Sequence, residues 1–350
     1  MTKVVSTPKQ PHFREYGFAG ERGKSLEQRP EYQAYRKAWF EYPERKIVPN
    51  FPINLDLHIT NKCNLECDFC PRTWHDKAGG FEEYGFMPMD LYRRVIDEAV
   101  AEGMAAVHFT ANGEPLLHKG LEEMITYARD KGVLDLRMHT NAVGLSEKRA
   151  RGLLQSGLHN LAISFDSPVK ETYEQLRKGS NFEKTLENIR RFVQLRDEMG
   201  LEFPLVRVQM VDQTANKDER KMFDELFMNI ADTVSHVYYI PYNGGPGSYI
   251  PERKDEADRT VGQRCLTDDF SCSYLWQRLI VEWDGTVYPC FFGFDLVVGN
   301  LKTQTLKEIW HGEPMQELRR LHAAGEFAKN PHCAGCGRQY ETKENTSDRF

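Results

Sequence analysis

No run of about 18 apolar residues occurs in the chain, and its first residues are polar, without the apolar stretch of a signal peptide. The expectation is therefore a cytoplasmic protein, neither secreted nor membrane-spanning. Basic residues are not in excess either: 46 Lys and Arg against 52 Asp and Glu give a net charge of −6. A non-specific nucleic-acid surface is not expected from that balance. No internal repeat or low-complexity tract stands out. Cysteine is sparse, with eight in 350 residues, and without an export signal these thiols are expected to stay reduced and bind metal rather than pair. The remaining composition, 40% hydrophobic and 28% charged, is that of a globular protein with room for one large α/β domain and a smaller module.

Three of the eight cysteines fall in one short run, Cys63-Asn64-Leu65-Glu66-Cys67-Asp68-Phe69-Cys70, directly after the strand-like stretch 53–60. Three thiolates on one loop can converge on three irons of a cubane cluster and leave the fourth iron open. An open coordination position separates a reactive metal site from a closed structural one. A zinc knuckle completed by His58 or His75 is the other chemistry this spacing admits.

Along the chain, residues 1–50 read as an N-terminal arm with Pro8, Pro11, Pro30 and Pro43 and one short helix over 31–40. From about 52 to 242, β-branched runs at 53–60, 105–111, 135–141, 160–166, 205–211 and 235–242 alternate with helical patterns at 90–102, 120–131, 146–156, 182–199 and 217–232. That alternation predicts parallel βα units, six strands in all, too few to close an eight-stranded barrel. Gly244-Gly245-Pro246-Gly247-Ser248 marks the expected boundary between a barrel over 51–243 and a linker with a second module over 244–350. In that module a hairpin is expected over 279–290, turning at Asp284-Gly285, and helices over 306–310 and 315–324.

Polar motifs sit at the predicted C-terminal ends of the strands, where βα barrels carry their chemistry. They are Asn112-Gly113-Glu114-Pro115, His139-Thr140-Asn141 and Ser164-Phe165-Asp166-Ser167, together with Arg177 and with Gln209 inside an apolar strand. Asn and Asp at such places also cap helices, so their roles stay open on this reading alone. Cys272, Cys290, Cys333 and Cys336 form a second set, spaced C-x17-C, then C-x2-C after 42 residues. Four thiolates suffice for a closed 4Fe–4S cluster or a zinc site. Cys265 is left over, as a buried small hydrophobe or a reactive thiol.

The cysteine triplet, with an aromatic before its third member, resembles the signature of the radical S-adenosylmethionine (SAM) enzymes. That resemblance implies a partial (β/α)6 barrel and a 4Fe–4S cluster on Cys63, Cys67 and Cys70. Its free iron would chelate SAM, and an electron would cleave SAM to methionine and a 5′-deoxyadenosyl radical. Asn112-Gly113-Glu114-Pro115 resembles the family's GGEP motif with Asn112 at the first glycine. The family pattern implies SAM contacts at Phe69, Asn112, Gly113, Glu114, Asn141, Ser164, Asp166, Arg177 and Gln209. The stretch from Gln277 to Cys290 and the pair Cys333 and Cys336 resemble the SPASM/twitch extension, which implies a small α+β module with one auxiliary 4Fe–4S cluster. The pattern is similar to the branch that includes the butirosin-pathway aminocyclitol dehydrogenase. An oxidoreductase is therefore expected, acting on a small polar substrate such as a sugar, aminocyclitol or nucleotide-linked sugar, with the auxiliary cluster taking the second electron. An external donor of flavodoxin or ferredoxin type is implied. Epimerisation with Cys265 returning hydrogen, peptide modification, and a zinc-stapled binding protein are the alternatives.

Overall fold

The computed structural model describes residues 4–5, 13–18, 22–110, 112–238, 271–291, 293–294, 296–334 and 336. The six strands expected from the alternating pattern are present: β3 (Asn54–His58), β4 (Ala106–Thr110), β5 (Asp135–Thr140), β6 (Asn160–Ser164), β7 (Leu205–Asp212) and β8 (Thr233–Tyr238). Each pairs in parallel with the next in sequence. This is the order that successive right-handed βα crossovers produce. Helices Met89–Ala101, Leu121–Asp130, Glu147–Ser156, Phe182–Glu198 and Arg220–Phe227 return the chain between strands. Each buries one apolar face, as Leu91, Val95, Ile96 and Ala99 do on the first.

Local chemistry sets the helix ends. Ser146 and Asn181 cap two of these helices through their side chains, and Gly157, at φ 94°, ends the helix before β6. The last helix begins at Arg220 rather than near 217. A 3-10 turn over Thr214–Asn216 precedes it, and the Asn216 amide is spent on Asp166 O and Val211 O, at 2.6 and 2.9 Å.

The two ends of the chain extend this sheet. Strands β1 (Val4–Val5) and β2 (Phe13–Phe18) come from the segment expected to be a surface arm, and β2 pairs antiparallel with β8. The expected helix runs over Pro30–Arg45 and packs Tyr35 and Trp39 against Ala105 and Ala106. The expected hairpin is β9 (Arg278–Glu282) with β10 (Thr286–Tyr288), and β11 (Gly299–Asn300) adds to it. It is not separate from the barrel, because β9 pairs in parallel with β3 over its whole length. An edge strand's exposed N–H and C=O groups accept such an addition. The C-terminal cysteine set is thereby fixed to the strand that carries the first one.

Candidate active site

Strand β3 delivers the chain into the cysteine loop at the C-terminal end of the barrel. The loop is tied down by backbone groups. Glu66 N donates to Lys178 O at 2.9 Å, Glu114 N to Lys62 O at 2.8 Å, and Arg72 Nε to Asn61 O at 3.0 Å. A Cβ on Gly113 would lie 2.5 Å from both Thr60 O and Lys62 O, so only glycine lets the two turns meet. Asn141 Nδ2 donates to Asn64 Oδ1 at 2.9 Å and lies 4.0 Å from Cys63 Sγ. Burial pushes the Cys63 thiol up to about 11 and the Cys67 thiol to about 12. Such thiols ionise only with a cationic partner in place, which a metal centre supplies.

The remaining expected residues surround this loop. Glu114 is fully enclosed, and burial raises its pKa. Its oxygens accept from Leu116 N at 3.0 Å, Thr140 Oγ1 at 2.6 Å and Asn141 N at 2.8 Å. The carboxylate thus clamps the turns after β4 and β5. Asp166 accepts from Arg177 Nε at 2.5 Å and from Val211 N at 2.8 Å. The Arg177 guanidinium in turn lies 5.3 Å from the Phe69 ring centre. Ser164 and Gln209 are register partners on β6 and β7. Cys265 lies outside the described residues.

Two residues of this end were not singled out from the sequence, Glu282 not at all and His58 only as a zinc ligand. His58 ends β3 and Glu282 ends β9, directly opposite in register. His58 Nδ1 lies 2.6 Å from Glu282 Oε1, which also accepts from Asn112 Nδ2 at 2.9 Å. His58 Nε2 is buried and has no hydrogen-bond partner among the described residues. The signal available was the run Asn54-Leu55-Asp56-Leu57-His58, in which polar residues recur every second position and so share one face of the strand.

Deeper in the barrel, Arg278 Nη1 donates to Asp56 at 3.0 Å, and the imidazoles of His108 and His139 continue the chain at 3.0 and 2.8 Å, with Arg207 Nη2 at 3.4 Å. Arginine only donates and a carboxylate only accepts, so the bonds run from Arg207 through His139 and His108 to Asp56 with both rings neutral. Burial lowers both histidine pKa values. A cavity of about 520 Å³ bounded by Tyr32, Arg36, Arg137 and Arg207 lies at the opposite, N-terminal end of the strands.

In the C-terminal module Cys272 precedes the short helix Tyr274–Gln277, Cys290 comes after β10, and Cys333 lies in the turn of helix Pro331–Ala334. Burial pushes the Cys333 thiol up to about 12, and the neighbouring Cys272 and Cys336 thiolates add to the rise. The seven described cysteines are all free thiols. Among the described residues no three His, Cys, Asp or Glu side chains converge on a single-ion position. Tetrahedral sulfurs around one zinc sit roughly 3.8 Å apart at Zn–S bonds of about 2.3 Å. The corners of a cubane hold them farther apart.

Comparison with known proteins agrees with this chemistry. The chain matches the radical SAM superfamily over residues 57–206 and the iron–sulfur cluster-binding SPASM domain over residues 272–337. A probable GTP 3′,8-cyclase of Methanococcus maripaludis is 31% identical over 162 residues, covering 46% of this chain and 51% of that protein. The chain thus spans about half the length of that relative. The GTP 3′,8-cyclase of Helicobacter pylori is 32% identical over 271 residues, covering 69% of this chain and 81% of that protein. In fold, the chain is similar to BtrN, solved in complex with AdoMet and 2-DOIA, with a TM-score of 0.52, 18% identity, and coverage of 83% of this chain and 94% of that one. The cofactors of these two domains are SAM, a 4Fe–4S cluster and further iron–sulfur clusters. This chain belongs to the radical SAM superfamily and carries a SPASM domain.

Proposed function

We propose that the protein is a radical SAM oxidoreductase that oxidises an alcohol carbon of a small polar substrate, of the sugar, aminocyclitol or nucleotide-linked sugar type. The observation that carries this reading is the seam between β3 and β9. It sets a buried, oriented histidine between the loop of Cys63, Cys67 and Cys70 and the module of the second cysteine set. Relatives named for GTP support a nucleotide-bearing substrate within that class.

In this reading Cys63, Cys67 and Cys70 hold the SAM-binding cluster, and Cys272, Cys290, Cys333 and Cys336 hold the auxiliary one. When bound, these groups supply the reductive cleavage of SAM and the acceptance of an electron from substrate. The chain's own residues bind, orient and move protons. Asn112, Gly113 and Asn141 present polar groups beside the first loop, while Glu114 fixes their turns. The Phe69 ring and the Arg177 guanidinium, which Asp166 holds, serve with Ser164 and Gln209 as the remaining contacts for SAM. His58 takes the hydroxyl proton of the substrate at Nε2, and Glu282 holds its other nitrogen. A carbon radical beside a deprotonated oxygen is strongly reducing, which is why a base belongs beside an electron acceptor.

A one-electron donor of flavodoxin or ferredoxin type and a reducing, cytoplasmic setting complete the proposal. The expected boundary between a barrel over 51–243 and an auxiliary module over 244–350 lies outside the described residues. The test is anaerobic reconstitution with iron and sulfide, then assay against nucleotide-linked sugars and aminocyclitols for a product two hydrogens lighter. Two clusters correspond to about eight irons per chain. Solvent hydrogen entering an otherwise unoxidised product would point to epimerisation instead.

A further inference from the structure

His322 lies in the last turn of helix Glu313–Ala323, 2% exposed, with its ring stacked on Phe327 at 5.7 Å. The ring joins two cysteines far apart in sequence. The backbone N–H of Cys272 donates to His322 Nδ1 at 3.2 Å, and His322 Nε2 lies 3.4 Å from Cys333 Sγ. A backbone amide can only donate, so Nδ1 carries a lone pair, and the single hydrogen of the neutral ring sits on Nε2. That hydrogen faces the sulfur.

From this geometry we infer that His322 is a positioning residue that donates an N–H···S hydrogen bond to the Cys333 thiolate of the auxiliary cluster and raises its reduction potential. The inference rests on the proposed assignment of Cys272, Cys290, Cys333 and Cys336 to that cluster. Hydrogen bonds to ligand sulfur withdraw charge from it and favour the reduced state, one of the levers by which proteins set cluster potentials. A raised potential suits a cluster whose work is to accept an electron from a substrate radical. The same ring ties Cys272 to Cys333 and so preorganises two ligands supplied by separate elements.

The test uses the full-length chain with Cys63, Cys67 and Cys70 each changed to Ala, so that only the C-terminal set holds iron. After anaerobic reconstitution, iron is counted first. About four irons per chain establishes the auxiliary cluster, and none overturns the ligand assignment together with the inference that depends on it. The potential is then measured by redox titration monitored by electron paramagnetic resonance. His322→Phe keeps the bulk and loses the donor. It is expected to lower the ratio of reduced to oxidised cluster at least tenfold at a fixed potential, 59 mV for a one-electron couple. His322→Gln, which retains an N–H, is expected to recover most of the loss. A Phe variant with full iron and a ratio within twofold of its parent would overturn the hydrogen bond while leaving the cluster in place. Should the Phe variant fail to hold iron, the parent decides. With the imidazole next in sequence to Cys333 removed by His332→Gln and histidine labelled with nitrogen-15, the parent's reduced cluster should show coupling to a histidine nitrogen and an exchangeable proton. Absence of both overturns the inference.

Discussion

The Nδ1 atom of His58 lies 2.6 Å from Oε1 of Glu282, across the seam where β3 meets β9. Both side chains are buried. The carboxylate fixes the ring so that its hydrogen points at Glu282 and its lone pair points away, at Nε2. A buried acceptor with no partner is uncommon in a folded protein and marks a place where something else binds. His58→Gln and Glu282→Gln are expected to leave SAM cleavage within a few-fold of the parent and to cut oxidised product by about 10²-fold or more, the usual worth of a positioned base. Parallel counting of 5′-deoxyadenosine and product checks this. Equal loss of both would mean that the pair supports SAM binding instead.

Cys290→Ala is expected to reduce the iron count from about eight to about four per chain. Some SAM cleavage should survive while completed oxidation disappears. Full product from this variant would contradict electron acceptance by the second cysteine set.

Gly113→Ala tests the close approach of two turns. The added carbon would meet the carbonyls of Thr60 and Lys62 at 2.5 Å, and these are backbone atoms in the approach to Cys63. Relief requires displacing the loop, at a cost of about 1–3 kcal/mol. Thermal melting should show the loss, and iron retained on the first set should fall with it. An unchanged melting point and iron content would show that the turns can separate freely.

Asp166→Asn leaves Arg177 enclosed without its carboxylate. Removing one partner of a buried pair costs about 3–5 kcal/mol, and Asp166 is fully buried. Denaturant titration measures the cost, and the double variant Asp166→Asn with Arg177→Met should recover part of it.

His236 supplies a pH dependence. Burial alone would lower its pKa, but Asp212 and Asp224 outweigh that and raise it. The nearer, Asp224, sits 2.7 Å from Nε2, while Asp212 lies at an ion-pair distance of 3.6 Å. A raised folded pKa means that the folded state binds the proton more tightly. The stabilisation is therefore fully present below the ordinary histidine value of about 6.5 and is lost as pH rises through the raised one. Melting curves across that range should show the decline, and His236→Gln should flatten it.

The barrel was legible because its strands and helices keep to two plain periods. The predicted strands at 53–60, 105–111 and 160–166 differ from β3, β4 and β6 only at their ends. The cysteine sets were legible through spacing. His58 and Glu282 were not legible as a pair, because they stand 224 positions apart. Nothing local announces that β9 will add to the edge of β3. The shorter last barrel helix escaped for a similar reason: the side chain of Asn216 is drawn into bonds with Asp166 and Val211, contacts that helical periodicity does not encode. Glu114 is expected among the SAM contacts. Its three donors on the neighbouring turns became visible only once β4 and β5 stood side by side.

The most direct measurement is the release of 5′-deoxyadenosine from SAM by the anaerobically reconstituted, dithionite-reduced protein, alongside Cys67→Ala. The account predicts release by the parent and none by the variant. No release from iron-loaded parent, or equal release from both, would contradict it.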